Sequence, residues 1–298
     1  MSLPPRVVVV SRRSELDELL ARHGTRGAAA YFLRQRGRDL SEVAARHATL
    51  QQALTAVGAA IPADWRRGHV DRDDLPRFLF GAEDIVVAVG QDGLVANVAK
   101  YLSGQPVIGV DPEPGRNAGV LVRFAADATA RILPAAAAGD APVQVRTMVH
   151  ATLDDGQELV GLNEVYVGHA THQSARYVVS TMDGRRERQS SSGVVIGTGT
   201  GATGWCASIV HERASSPPLP EPDEAALCWF VREAWPSPAT GVSLTAGRLA
   251  EGERLELVSE SERLVVFADG VEPDHLPMAW GQRVSIEVAA QRLRMVVP

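Results

Sequence analysis

Lysine is almost absent from this chain: Lys100 is the only one, so every other fixed positive side chain is an arginine. A cation at any anion site is therefore a planar guanidinium fork, a bias that genome composition alone can also produce. Cysteine is nearly as scarce. Cys206 and Cys228 are too few for a disulfide framework and lack the spacing of a zinc site, which makes a reducing cytosol the simplest setting. The eight histidines show no metal-ligand spacing, and His169 and His172 read as surface-loop residues. Positive charge is not in excess: a formal net charge of -6 leaves no global field for nucleic acid or an anionic membrane. A local basic pocket for one phosphorylated ligand stays open. No apolar run approaches the roughly 20 residues that span a bilayer. Met1-Ser2-Leu3-Pro4-Pro5 lacks the charged and apolar regions of a signal peptide, and no internal repeat is visible. The expected location is cytoplasmic.

What is present is an ordinary globular composition, 45% hydrophobic and 22% charged, in a length that predicts about two domains. The most informative stretch runs from Asp84 to Val110. Ile85 to Val89 is short, apolar and β-branched, as a strand buried on both faces should be. Leu94, Val95, Val98, Tyr101 and Leu102 recur at helical spacing, Ser103-Gly104 breaks the helix, and Pro106 to Val110 reads as the next strand. The joining loop, Gly90-Gln91-Asp92-Gly93, sets a carboxylate between glycines at the carboxyl end of the first strand, where open α/β sheets bind ligands. A hairpin needs alternating strands on both sides, whereas this loop opens a helix whose exposed N–H groups favour an anion.

A second glycine-rich loop, Gly197-Thr198-Gly199-Thr200-Gly201-Ala202-Thr203-Gly204, lies between a predicted strand at Gly193 to Ile196 and a predicted helix from Trp205 to His211. Its three hydroxyls and bare amides suit a phosphate or ribose. Asn163-Glu164 is a polar pair opening an apolar strand, by itself an edge or a cap. Arg12-Arg13 follows a first strand at Arg6 to Val10 and either meets a phosphate or, more commonly, is solvated.

Along the rest of the first half, Ser14 caps a helix, and Ala28 to Gly58 is helical with Ser41 at its start and Gly58 at C′. A weak strand near Ile61 to Trp65, an acidic turn at Asp71 to Asp74 and a short helix ending near Gly81 precede the βαβ unit. Ala125 to Asp140 is a connecting helix and linker. Beyond it come alternating segments at Val143 to Leu153, Leu162 to Val167, Ala175 to Met182, Ala225 to Val231, Arg254 to Leu257, Arg263 to Ala268, Arg283 to Val288 and Leu293 to Val297. Asp154-Asp155-Gly156 and Asp183-Gly184 are turn signals, Gly184 to Arg188 a solvated hairpin tip, and Ser215 to Asp223 a surface loop. The expected architecture is α/β followed by all-β.

The order of these motifs resembles the NAD kinase family: the strand with Gly90-Gln91-Asp92-Gly93, the run from Pro106 through Asp111 to Gly119, Leu162-Asn163-Glu164-Val165, and Thr198-Gly199-Thr200-Gly201. Ser191-Ser192-Gly193 and a loop ending in Trp205 are most similar to its mitochondrial-type branch. The resemblance covers nearly the whole chain. It implies an N-terminal Rossmann-like α/β domain over 1–125, completed by 280–298, a C-terminal antiparallel β-sandwich over 126–279, and an active site between them. It implies transfer of a phosphoryl group from ATP, or polyphosphate, to the 2′-hydroxyl of the adenosine ribose of NAD, with Mg2+ and a homodimer or larger assembly. Asp92 is then the proton acceptor. Gly90, Gln91, Gly93, Arg116, Thr198, Gly199, Thr200 and Gly201 face phosphates and nucleotide, and Asn163, Glu164, Asp111 and Thr203 face NAD. Gln91 and Leu94 stand where the family has glycine and threonine, Asp111 where asparagine is usual, and Ala202 where a small hydroxyl residue is. The alternatives are a weakly active or inactive NAD(P)-binding regulator on the same fold, and a kinase for another hydroxyl such as a nucleoside's.

Overall fold

The computed structural model describes residues 4–116 and 119–298. Met1 to Leu3, the start of the stretch read against a signal peptide, lie outside them. The chain forms two compact units, residues 1–144 with 294–298, and residues 145–293.

The first unit starts from β1 (Arg6–Ser11), whose four valines are buried, followed by α1 (Glu15–His23). Ser14 closes α1 with a capping box: its Oγ accepts from Asp17 N–H, and Asp17 accepts from Ser14 N–H. The helical pattern after it is two helices, α2 (Arg26–Arg34) and α3 (Leu40–Ala60), and not one. Gly37, at φ 68°, makes the break, Asp39 caps α3, and Gly58 lies inside it. The second strand is β2 (Arg66–Asp71), a polar edge strand beyond the apolar segment expected to form it. A 3-10 turn at Arg72–Arg77 leads to β3 (Asp84–Val89), α4 (Asp92–Ala99) and β4 (Pro106–Val110). The parallel order is β2-β1-β3-β4. It reverses between β1 and β3, the kind of position where doubly wound sheets take ligands.

The division between the units falls after α5 (Thr129–Ala138), not before it, because Ile132 and Leu133 pack with Val87, Ile108 and Val296 in the first unit's core. Gly139, in the left-handed conformation, ends that helix.

The second unit contains β5 (Val143–Leu153), β6 (Glu158–Gly161), β7 (Glu164–His169), β8 (Ala175–Thr181), β9 (Arg186–Ser191) and β10 (Gly193–Gly197). After α6 (Trp205–Glu212) come β11 (Ala226–Arg232), β12 (Ala246–Ala250), β13 (Arg254–Ser259), β14 (Leu264–Ala268), β15 (His275–Met278) and β16 (Arg283–Val296). An antiparallel sheet in the order β12-β11-β10-β7-β14-β15 faces the strands β5, β8, β13 and β16 across one core, which includes Val165, Tyr177, Ile196, Trp229, Leu257 and Ile286. Period-2 alternation gives each strand one face for this sandwich core. Arg186–Ser191 is a strand and not only a hairpin tip, and 283–296 is one strand where two short ones were expected. The last residues of β16 belong to the first unit: Arg294 and Met295 pair in parallel with Pro106 and Val107 of β4.

Candidate functional site

The predicted residues fall in two groups, one in each unit. In the first, the buried run of β3 delivers the chain to Gly90, whose N–H donates to Val110 O at the end of β4 at 3.0 Å. Gln91 is the N-cap of α4 with φ −100° and ψ 167°, an extended backbone any residue adopts, so replacing the family's glycine strains nothing. Its exposed side chain makes no capping bond. Leu94 is buried against Gly90, where an added Cβ would lie 3.0 Å from its Cδ2, whereas a Cβ on Gly93 would meet nothing within 4 Å. The open face of the loop is thus at Gly93.

Asp92 points back into its own unit. Leu121 and Val122 N–H donate to its Oδ1 at 2.8 and 3.0 Å, and Val120 N–H donates to Oδ2 at 3.0 Å. An ionised carboxylate has about four lone-pair sites, so among the described residues one direction, at Oδ2, is unengaged. Asp111 is buried, and its Oδ1 accepts from Glu113 N–H at 2.9 Å in a local turn. Arg116 is exposed and lies 3.3 Å from Glu113 Oε1.

In the second unit the glycine-rich loop is held mainly by itself. Thr198, fully buried, donates its hydroxyl to Leu162 O at 2.6 Å and accepts from Thr200 and Gly201 N–H at 3.1 and 3.2 Å. Thr200 Oγ1 accepts from Nη1 of the buried Arg146 at 3.2 Å. The Thr198 and Thr200 hydroxyls are therefore turned into the protein. A Cβ at Gly199 would lie 1.9 Å from Glu221 O, and one at Gly201 2.1 Å from Asn163 O. These two glycines permit close backbone packing. Thr203 is exposed, its hydroxyl donating to Thr200 O at 3.0 Å.

Asn163 and Glu164 sit against this loop: Thr198 N–H donates to Asn163 O at 2.9 Å. Asp269 anchors this segment: its carboxylate accepts from Leu162 N–H at 2.9 Å and Asn163 N–H at 2.6 Å, and its own N–H donates to Glu164 O at 3.1 Å. Burial, with Asp269 as a second negative charge, pushes the Glu164 carboxyl up to about 7. Around neutral pH Glu164 can donate or accept a hydrogen bond. Trp205 stacks on Tyr166 at 5.6 Å between centroids and 19° between planes.

Asp269, Arg146 and Tyr166 were not singled out from the sequence. An Asp-Gly after a strand was the available signal for Asp269, and an arginine at an interior-facing register of an alternating strand for Arg146. Among the described residues, no group of three or more His, Cys, Asp or Glu side chains is placed to hold a metal ion.

The chain thus joins an α/β unit with a glycine-flanked carboxylate at a parallel strand end to an antiparallel β-sandwich unit. No protein-family model matches the chain. It is 25% identical over 238 residues to the NAD kinase of Geobacter metallireducens, covering 78% of each chain. To the NAD kinase of Chlorobaculum tepidum it is 27% identical over 127 residues, 42% of this chain and 44% of that one. The crystal structure of yeast NADH kinase complexed with NADH superposes with a TM-score of 0.62 at 12% identity, covering all of this chain (100%) and 84% of the yeast protein. The chain is similar in sequence to these NAD kinases and shares the fold of the yeast NADH kinase. Among the described residues no helix is long and apolar enough to cross a membrane.

Proposed function

We propose that this protein is a phosphotransferase that moves a phosphoryl group from ATP, or from polyphosphate, to the 2′-hydroxyl of the adenosine ribose of NAD. The observation that carries the reading is Asp92: a carboxylate at the carboxyl end of β3, beside the open face of Gly93, with one direction at Oδ2 unengaged among the described residues. That direction suits a hydroxyl that must lose its proton as it attacks phosphorus. A positioned base typically supplies about 10² to 10⁴ in rate, and the rest of phosphoryl transfer is positioning and charge neutralisation. The N-terminal amides of α4 face the donor's phosphates. Asn163 and Glu164 hold the dinucleotide, with Asp269 bonded to the backbone of both, to Asn163 N–H through its carboxylate and to Glu164 O through its own N–H. Magnesium, when bound with the donor, would neutralise charge on its phosphates, and phosphate oxygens and water would supply most of its ligands.

Purified protein incubated with NAD, magnesium and either ATP or polyphosphate should form NADP. No NADP above an Asp92→Asn control would overturn the reading. Gln91, unstrained and free of capping bonds, should act only through its side chain, so Gln91→Gly is expected to raise the initial rate if the carboxamide crowds the donor.

The three amide bonds to Asp92 also favour a second reading, an NAD(P)-binding regulator in which this carboxylate braces a loop. Calorimetry separates the two, because tight NAD or NADP binding with no turnover supports the regulator.

A further inference from the structure

In the first unit, five charged side chains meet at the carboxyl edge of the parallel sheet, next to the exit of β4. Glu15, at the start of α1, is gripped by both terminal nitrogens of Arg38 at 2.5 and 2.9 Å. Arg46, on α3, lies 3.8 Å from Glu15 and 3.6 Å from Glu113, both beyond hydrogen-bond reach. Its Nε is buried and has no hydrogen-bond acceptor among the described residues. Glu113 is shared with Arg116 on its other side at 3.3 Å. The three guanidinium groups thus share Glu15 and Glu113, with Glu42 a further carboxylate near Arg38, and among the described residues one buried donor, Arg46 Nε, lacks an acceptor. Native proteins rarely leave such a donor unanswered, and each case calls for an explanation.

We propose that Arg46 and Arg116 form a phosphate subsite in which the Glu113 carboxylate is the resident counter-ion, displaced when a phosphate binds. The chemistry fits on three counts. A phosphate carries more charge than a carboxylate and has enough oxygens to bond two forks at once. The Glu113 side chain can leave without unravelling the loop, because the backbone is held separately by Glu113 N–H on Asp111 Oδ1 and by Arg116 N–H on Glu113 O at 3.1 Å. The position is also apt, since the Gly90 N–H bond to Val110 O starts the α4 loop beside the strand that delivers Glu113. The inference rests on the nucleotide-kinase reading only for the source of the phosphate, which is the donor's chain or a phosphate of the dinucleotide.

The test is equilibrium binding to the full chain without turnover, using tripolyphosphate, ATP and NADP as separate probes. Glu113→Gln should tighten tripolyphosphate about tenfold, and Arg46→Gln should weaken it about tenfold, the scale of one charge-assisted hydrogen bond. Arg116→Gln, at an exposed position where folding is not in question, should weaken it in the same direction. An Arg46 effect on ATP and tripolyphosphate alone assigns the donor, and one on NADP alone assigns the dinucleotide. The proposal is overturned if the variants bind every probe within about twofold of wild type. It is equally overturned if Glu113→Gln weakens binding, which would make Glu113 a loop brace. A protein that makes no NADP still undergoes this test, so the two readings fail separately.

Discussion

Asp92 commits three of its lone-pair directions to backbone amides, and an asparagine cannot copy that pattern. Its carboxamide would turn an NH2 group toward at least one of the Val120, Leu121 or Val122 N–H donors. Asp92→Asn should therefore lose phosphoryl transfer and also cost about 1–3 kcal/mol of stability, measurable by urea unfolding. A base with no structural role would show the first effect alone. Glu164 makes a different prediction. Its folded-state carboxyl titrates near 7, above its value in an unfolded chain, so the folded state binds the extra proton. Stability is complete below about pH 4.5 and is lost as pH rises through 7, by roughly 2–3 kcal/mol. Glu164→Gln cannot ionise, so its stability should match wild type at pH 4.5 and exceed it at pH 8. Chemical denaturation at both values checks the sign.

At the scale of elements, β4 and the segment holding Asp92 are built as one piece. A Cβ on Gly109 would lie 2.1 Å from Leu121 O, and Phe124 N–H bonds to Gly109 O at 3.1 Å, so the returning chain lies directly on the strand. Gly109→Ala should push Leu121 and Val122 away from Asp92, costing about 1–3 kcal/mol by overpacking. Activity should fall even though Asp92 itself is unchanged, and thermal melts beside initial rates would show both. The βαβ core was legible because Ile85 to Val89 and Pro106 to Val110 are buried on both faces and read as continuous apolar runs. Arg66–Asp71 and Arg186–Ser191 were not, because they are polar edge strands whose ladder bonds, rather than their side chains, make them strands. The glycine loops were visible by composition, but their internal use was not. Whether Thr198 faces a ligand or Leu162 O depends on contacts made across the fold, as does the reach of Asp269 to amides 107 and 106 residues away.

At the scale of the whole molecule, the chain passes from the first unit to the second after Gln144 and returns after Leu293. The returning residues complete the first unit's core: Met295 and Val296 are buried, and Val297 N–H bonds to Pro142 O at 3.0 Å. Burying side chains of this size contributes about 1.5–3 kcal/mol each, a large share of the 5–15 kcal/mol that typically holds a protein folded. Removing residues 294–298 also bares the β4 edge that Arg294 and Met295 cover. The sandwich core keeps all its members, since it draws on β16 only through residues such as Val284, Ile286 and Val288. Hydrogen exchange on the truncated chain should therefore speed at Val86 to Val89 and Val107 to Val110 while Leu255 and Leu257 exchange as in the full chain. Equal acceleration in both sets would mean that the two units unfold together, and the last strand would then stabilise the molecule as a whole rather than the first unit alone.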